Sequence, residues 1–114
     1  MSKYMLLMRG SQTEFVNMNA AEQNRIIGEH RQWSQELIEK KIFIDGNGFS
    51  NITVKLVTEH GKLLKISQPY VDTADELSGY YIIEAECMTS AVEIAKTCPA
   101  LAHHESIEVI PLGH

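Results

Sequence analysis

His30 is the residue of this sequence whose type and setting best suit acid–base chemistry. It lies between Ile26 and Trp33, in a stretch where apolar residues recur every three or four positions, which is typical of the buried side of a helix. Histidine is the side chain most easily tuned to accept or release a proton near neutral pH. Histidines in such stripes are also commonly core residues that a backbone carbonyl satisfies. The pattern therefore allows both a catalytic and a structural interpretation.

Groups that could assist His30 lie in the second half of the chain. Ser67 could act as a nucleophile with His30 as its base, or could exchange one neutral hydrogen bond with it. Asp72 and Asp75 could supply a carboxylate, although aspartates in such positions are commonly loop acids and helix caps. We take His30, Ser67 and Asp72 as the candidate catalytic residues.

Aromatic residues near the same segment predict a small-molecule pocket. Tyr70, Tyr80 and Tyr81 could line it and present a phenolic hydrogen-bond donor. We assign substrate contacts to Tyr70, Tyr81 and Trp33. Packing in the core or in a dimer contact is the alternative role for the tyrosines.

Metal and cofactor signatures are not evident in the sequence. The pair His103-His104 cannot point the same way on extended backbone, and no cysteine or acid joins it at ligand spacing. Cys87 and Cys98 follow no CxxC pattern, and we expect both to be reduced and buried. Phosphate-cradling glycine motifs and a nucleophile elbow are also missing. We therefore expect neither a metal nor a cofactor.

Composition limits the class of protein. The chain has 114 residues, enough for one domain, and 44% of them are hydrophobic, enough for a core. Ten basic residues stand against fifteen acidic ones, for a net charge of −5, which disfavours nucleic-acid binding. The first apolar run is too short for a signal peptide, and no run reaches the ~20 residues that cross a bilayer. We expect a soluble cytoplasmic protein without membrane contact.

The elements that must position these residues follow from periodicity and turn signals. Residues 3–9 form a continuous apolar run, which predicts an inner strand. A helix should begin after the N-cap Asn19 and end near Lys41, with a polar connection before it and a glycine-rich loop after it. The remaining predicted elements are a hairpin (51–58 and 63–67), a strand (79–86), a helix (90–98) and a strand (106–112). The order β-α-β-β-β-α-β predicts an α+β, ferredoxin-like antiparallel sheet with two helices on one face.

The other face of that sheet would carry Tyr80, Ile82, Ile110 and Leu112. This is too much apolar surface to leave in water. Packing against the sheet of an identical chain would bury it, so the pattern predicts a homodimer.

Several of these segments occur in an order that resembles the YCII-related family and its DGPF-domain proteins. The family pattern is Asp-Gly-Pro-Phe, an acidic loop ending in Leu-Gly-Gly, an aromatic-rich strand, a helix closing on Cys-Pro and a final Glu-Val-Arg-Pro strand. This chain has Ser67-Gln68-Pro69-Tyr70, a loop ending in Leu77-Ser78-Gly79, the tyrosine-rich strand, Cys98-Pro99 and Glu108-Val109-Ile110-Pro111. The opening strand and the helical His30 also fit. The resemblance identifies residues 1–114 as a single YCII-related domain of DGPF type.

The resemblance implies a dimeric α/β barrel, in which the helical histidine pairs with the aspartate that opens the loop motif. Here Ser67 stands in place of that aspartate, and serine cannot stabilise an imidazolium as a carboxylate does. The arginine of the last strand is replaced by Ile110, and the lysine of the acidic loop by Ala74.

Two classes of function remain open. One is a small-molecule acid–base enzyme centred on His30, because the wider superfamily includes muconolactone isomerases and chloromuconolactone dehalogenases. The other is a non-catalytic ligand-binding or regulatory accessory protein, because DGPF-type genes often lie near extracytoplasmic-function sigma factors. The loss of the motif aspartate favours the second class, and a dimer with a vestigial pocket is a third possibility.

Overall fold

The computed structural model of this chain describes residues 1–49, 52–69 and 76–113. Four strands form one antiparallel sheet in the order β2-β5-β1-β6, and two more form a separate hairpin. The strands are β1 (Ser2–Arg9), β2 (Phe43–Gly48), β3 (Ile52–Glu59), β4 (Lys62–Pro69), β5 (Leu77–Ala85) and β6 (Ser106–Pro111). The helices are α1 (Gln12–Val16), α2 (Ala20–Glu39) and α3 (Met88–Ala95), followed by a 3-10 helix (Pro99–His103).

The first strand lies inside the sheet, as its continuous apolar run predicts. It pairs with β5 on one side and with β6 on the other, so that Leu6 lies opposite both Tyr81 and Val109. Leu6 and Ile83 are fully buried on the side that faces the helices. The apolar run is continuous because apolar side chains lie on both faces of the strand: Leu6 faces the helices, whereas Met5 and Leu7 point to the opposite face of the sheet.

Helices α2 and α3 cover one face of the sheet, as predicted. The Asn19 side chain caps α2 by accepting a hydrogen bond of 2.8 Å from the backbone amide of Glu22. Trp33 and Leu37 of α2 join Ala91 and Ala95 of α3 in the core that packs on the sheet. The α+β, ferredoxin-like class is therefore confirmed.

The element order is longer than the predicted β-α-β-β-β-α-β. Residues 43–48, which we expected in a loop, form the edge strand β2, because they pair with β5 despite the poor strand propensity of aspartate, asparagine and glycine. Gly46 is needed there, since a Cβ atom would lie 2.5 Å from the Tyr81 ring. Residues 12–16 form the short helix α1 within the predicted polar connection. The last helix begins at Met88 rather than at Ser90.

The hairpin of β3 and β4 lies between β2 and β5 in the sequence, although β2 and β5 are paired neighbours in the sheet. Its two strands pair in register from Ile52 opposite Pro69 to Glu59 opposite Lys62. The turn residues His60 and Gly61 have φ angles of 51° and 76°, and two positive φ values in a two-residue turn are typical of tight hairpins. The predicted hairpin is therefore confirmed.

No described helix or strand covers the face of the four-stranded sheet that points away from α2 and α3. Tyr80 and Ile82 alternate along β5 with the buried Tyr81 and Ile83, so they point to that open face and are only half-buried. Met5, Leu7 and Ile110 on the neighbouring strands are half-buried in the same way. Within the described residues, no helix is both long and apolar enough to span a membrane.

Candidate functional site

A cleft of about 820 Å³ opens between α1, α2 and one end of the sheet. Its apolar wall is formed by Met8, Phe15, Met18, Ile26, Phe43 and Phe49. Its polar wall includes His30, Ser34, Ser78, Tyr81, His103 and Glu105. A concave, largely apolar space with a few convergent polar groups is the usual form of a small-molecule site.

His30 and Tyr81 meet in this cleft. His30 Nδ1 lies 2.7 Å from Tyr81 Oη, and the two rings stack with centroids 5.9 Å apart and planes inclined by 17°. Trp33 and Phe43 each make a T-shaped contact with the Tyr81 ring, with centroid distances of 5.0 Å and 6.3 Å. These aromatic contacts fix the phenol in front of the histidine.

Burial keeps both members of this pair neutral near pH 7. Burial lowers the pKa of His30, the nearby His103 lowers it further, and Glu29 partly opposes the shift. Burial raises the pKa of Tyr81 to about 12, against a hydrogen bond from Ser34 that favours the phenolate. The 2.7 Å contact therefore joins a neutral imidazole to a neutral phenol, with one proton between the two atoms.

A second polar group ties α2 to the 3-10 helix. His103 Nε2 lies 3.1 Å and 3.3 Å from the two carboxylate oxygens of Glu29. Arg25, one turn earlier on α2, lies 3.6 Å from the same carboxylate. Glu29 is the residue next to His30, so its carboxylate, paired with Arg25, helps to set the electrostatic potential at the cleft.

A third polar pair connects β5 to the segment before β6. Ser78 Oγ donates a hydrogen bond of 2.5 Å to Glu105 Oε1. Burial raises the pKa of the Glu105 carboxyl, while the hydrogen bond from Ser78 and the charge of His103 act in the opposite direction. A half-buried carboxyl of this kind can hold or release a proton at the cleft wall.

The structure brings two of the predicted site residues together in the cleft and places a third behind them. His30 and Tyr81 share the cleft, whereas Trp33 is buried behind Tyr81 and donates its indole proton to Thr97 Oγ1 over 2.8 Å. The backbone of Ser67 lies in β4, and its side chain is outside the described part of the structure. Tyr70 and Asp72 also lie outside the described residues, so their roles stay predictions.

Four further polar residues in or beside the cleft were not site candidates in the sequence: Ser34, Ser78, Glu105 and Glu29. Ser34 had a local signal, because it follows His30 by one helical turn and lies on the same face. Ser78, Glu105 and Glu29 had none, since each meets its partner only through the packing of distant segments.

The described residues contain no group of three or more side chains arranged to hold a metal ion. His103 contacts Glu29, and His104 caps the 3-10 helix with a left-handed φ of 64°, so the two neighbours serve different purposes. Both cysteines are free thiols. Cys98 is buried as expected, but Cys87 is exposed, because it precedes α3 at the surface instead of packing under it.

Comparison with known proteins places the chain in a family. No curated protein matches it. The family model of the YCII-related domain, by contrast, matches residues 2–112. Since this match covers nearly the whole chain, the protein belongs to the YCII-related family.

Proposed function

We propose that the cleft binds a small organic molecule and that His30 transfers a proton to and from it, with Tyr81 as its partner. The observation that carries this proposal is the 2.7 Å contact between His30 Nδ1 and Tyr81 Oη within a cleft of about 820 Å³. A histidine that acts as a general base must be unprotonated at the working pH, and its ring must be oriented toward the proton that it takes. The phenol holds the imidazole, and the lowered pKa of His30 keeps it neutral.

In the base form, Nδ1–H of His30 and the hydroxyl of Ser34 both donate to Tyr81 Oη, and the unprotonated Nε2 can accept a proton. Nε2 takes a proton from the carbon next to a substrate carbonyl and returns it to another carbon. A double bond moves, and nothing is oxidised or reduced. The imidazolium forms without a carboxylate partner from the loop motif, because Ser67 replaces it, so Tyr81 and the nearby charge of Glu29 must stabilise it.

The walls of the cleft favour a compact acid or lactone. Phe15, Phe43 and Phe49 offer apolar surface to a carbon skeleton, and Arg31 at the cleft offers a positive charge to a carboxylate. Proton transfer next to a carbonyl is the chemistry of the muconolactone isomerase type, which needs an acid or base and no redox cofactor.

The same proposal includes a homodimer that packs through the open sheet face. Met5, Leu7, Tyr80, Ile82 and Ile110 supply half-buried apolar surface there. Contiguous surface of this kind usually marks an interaction site. An identical sheet offers an equally apolar and self-complementary partner.

The alternative is a non-catalytic ligand-binding or regulatory accessory protein. The hydrogen-bond partner of His30 in the described residues is a phenol rather than a carboxylate, and this observation favours the alternative. A neutral pair can bind a ligand carbonyl or carboxyl group without turning it over. The two functions share the cleft and differ in whether a proton moves.

Deuterium incorporation separates the two functions. Small lactones and unsaturated carboxylic acids would first be screened for binding by thermal shift. Each ligand that binds would then be incubated with the protein in D₂O, and mass spectrometry would measure the deuterium that the ligand has gained. We expect the wild type to incorporate deuterium, His30→Gln to bind without incorporation, and the exposed control Glu36→Gln on the same helix to behave like the wild type. Binding without incorporation by the wild type would favour the accessory role, and equal incorporation by His30→Gln would remove His30 from the mechanism.

A further inference from the structure

The β3–β4 hairpin, residues 52–69, is an arm for which the described residues of its own chain supply no extensive packing surface. Within the described residues, its strands pair only with each other and not with the four-stranded sheet. Every described side chain of its two strands is exposed except Val57, which is intermediate. Leu56 and Leu63 expose 61% and 70% of their surface.

Apolar side chains occupy both faces of this arm. Leu56 and Leu63 share one face with Val54, whereas Leu64 and Ile66 lie on the other. A two-stranded hairpin is at best marginally stable in water without a surface to pack on. The exposed apolar side chains therefore form a surface that a partner can cover.

The accessible surface area of the chain exceeds that expected of a compact monomer. Its accessible surface is 7742 Å², whereas a compact monomer of this mass exposes about 6,300 Å². Its radius of gyration is 16.1 Å, against about 13 Å for a compact chain of this length. The excess of about 1,400 Å² per chain corresponds to about 2,800 Å² for a pair, which lies in the range of obligate homodimers.

Charge favours a second copy as the partner. Residues 52–69 contain three lysines and one acid, for a net charge of +2, whereas the rest of the chain has seven basic and fourteen acidic residues, for a net charge of −7. A cationic arm therefore complements the acidic body of an identical chain. An anionic membrane surface fits less well, because a hairpin lying on lipid needs its apolar and cationic faces separated. Here Lys65 shares a face with Leu56, while Lys55 shares the other with Ile66.

We infer that the β3–β4 arm of each chain packs against the body of a second copy, in addition to the sheet contact. This inference rests on the proposed homodimer and adds a second interface to it. The partner covers the exposed leucines, and the lysines approach its acidic surface. The partner thereby supplies the packing surface that the described residues of the arm's own chain do not.

The test is the dissociation constant of the dimer, measured by analytical ultracentrifugation. We expect Leu56→Glu combined with Leu63→Glu to raise it by at least about 30-fold, the effect of losing one interface hot spot. Ile38→Glu, at a position on α2 that is 48% exposed, should leave it unchanged. Lys65→Glu, an exposed polar exchange that cannot disturb a core, should raise it several-fold at low salt and less at high salt.

The outcomes separate the arm from the sheet contact. A monomeric wild type would overturn both interfaces. Arm variants that dimerise like the wild type, while Ile82→Glu on the sheet face does not dimerise, would overturn the arm alone. Binding of the wild type to phosphatidylserine vesicles, lost in the arm variants without a change in dimerisation, would identify a lipid partner and overturn the inference. Ligand binding in the cleft, measured on each variant, reports separately on the His30 site.

Discussion

Glu105 reaches across Gly10 to accept a hydrogen bond of 2.5 Å from Ser78. Gly10 directly follows the central strand β1, and a Cβ atom built on it would lie 2.6 Å from Glu105 Cγ. The absence of a side chain at one position therefore permits a polar contact between two segments on either side of the central strand.

Gly10→Ala should destabilise the protein by about 1–3 kcal/mol, because the added methyl group displaces Glu105 from Ser78. Urea unfolding measures this free energy. The matched control is Gly28→Ala on α2, where a Cβ atom meets nothing within 4 Å. That exchange should stabilise the helix by about 0.5–1 kcal/mol. Equal effects of the two exchanges would contradict the close approach at Gly10.

The charges around His30 should shift its pKa in opposite directions. His103 lowers the pKa of His30 and Glu29 raises it. We therefore expect His103→Gln to raise the pKa of His30 and Glu29→Gln to lower it, as followed by NMR titration of the imidazole. If both variants shifted the pKa of His30 in the same direction, structural rearrangement rather than charge would determine that pKa.

The stability of the protein should fall as the pH drops below neutral, in part because of His30. Its folded pKa is below the ordinary value of 6.5, so the unfolded chain binds a proton first as the pH falls. The stabilisation is present above pH 6.5 and is lost as the pH falls toward the lowered folded pKa. Unfolding free energies measured between about pH 7.5 and 5.5 should therefore decline less steeply for His30→Gln than for the wild type.

The contribution of Glu105 to stability should depend on pH in the opposite direction to that of His30. Its folded pKa is above the ordinary value of 4.5, so the folded chain retains a proton that the unfolded chain has lost. Its contribution to stability is present below pH 4.5 and is lost as the pH rises through the folded pKa. Glu105→Gln should remove this dependence, and identical pH profiles of variant and wild type would rule out a perturbed carboxyl.

The two thiols should differ sharply in reactivity. Hydrogen bonds from Ser90 lower the pKa of the exposed Cys87, whereas burial raises the pKa of Cys98 to about 11. A thiol reagent such as DTNB should therefore modify one cysteine rapidly and the other only on unfolding. Ser90→Ala should slow the fast phase. Two equally fast thiols in the folded protein would contradict the burial of Cys98.

Local spacing in the sequence determined the elements and the faces they bury. The apolar run of β1 predicted an inner strand, Asn19 predicted the start of α2, and the alternation around His60 and Gly61 predicted the hairpin. Each signal depends on neighbours within a few residues, where the period of a helix or strand fixes which side chains share a face. The edge strand β2 gave no such signal, because it forms only when β5 supplies its hydrogen bonds.

The tertiary structure decided which side chains meet. The sequence placed His30 on the buried stripe of α2 and Tyr81 on the apolar face of β5, but not opposite each other. Their contact spans 51 positions, that of Ser78 with Glu105 spans 27 and that of Glu29 with His103 spans 74. Contacts between residues so far apart in the sequence depend on how the helices pack on the sheet and on strand register. Both are set by the whole core rather than by any one segment.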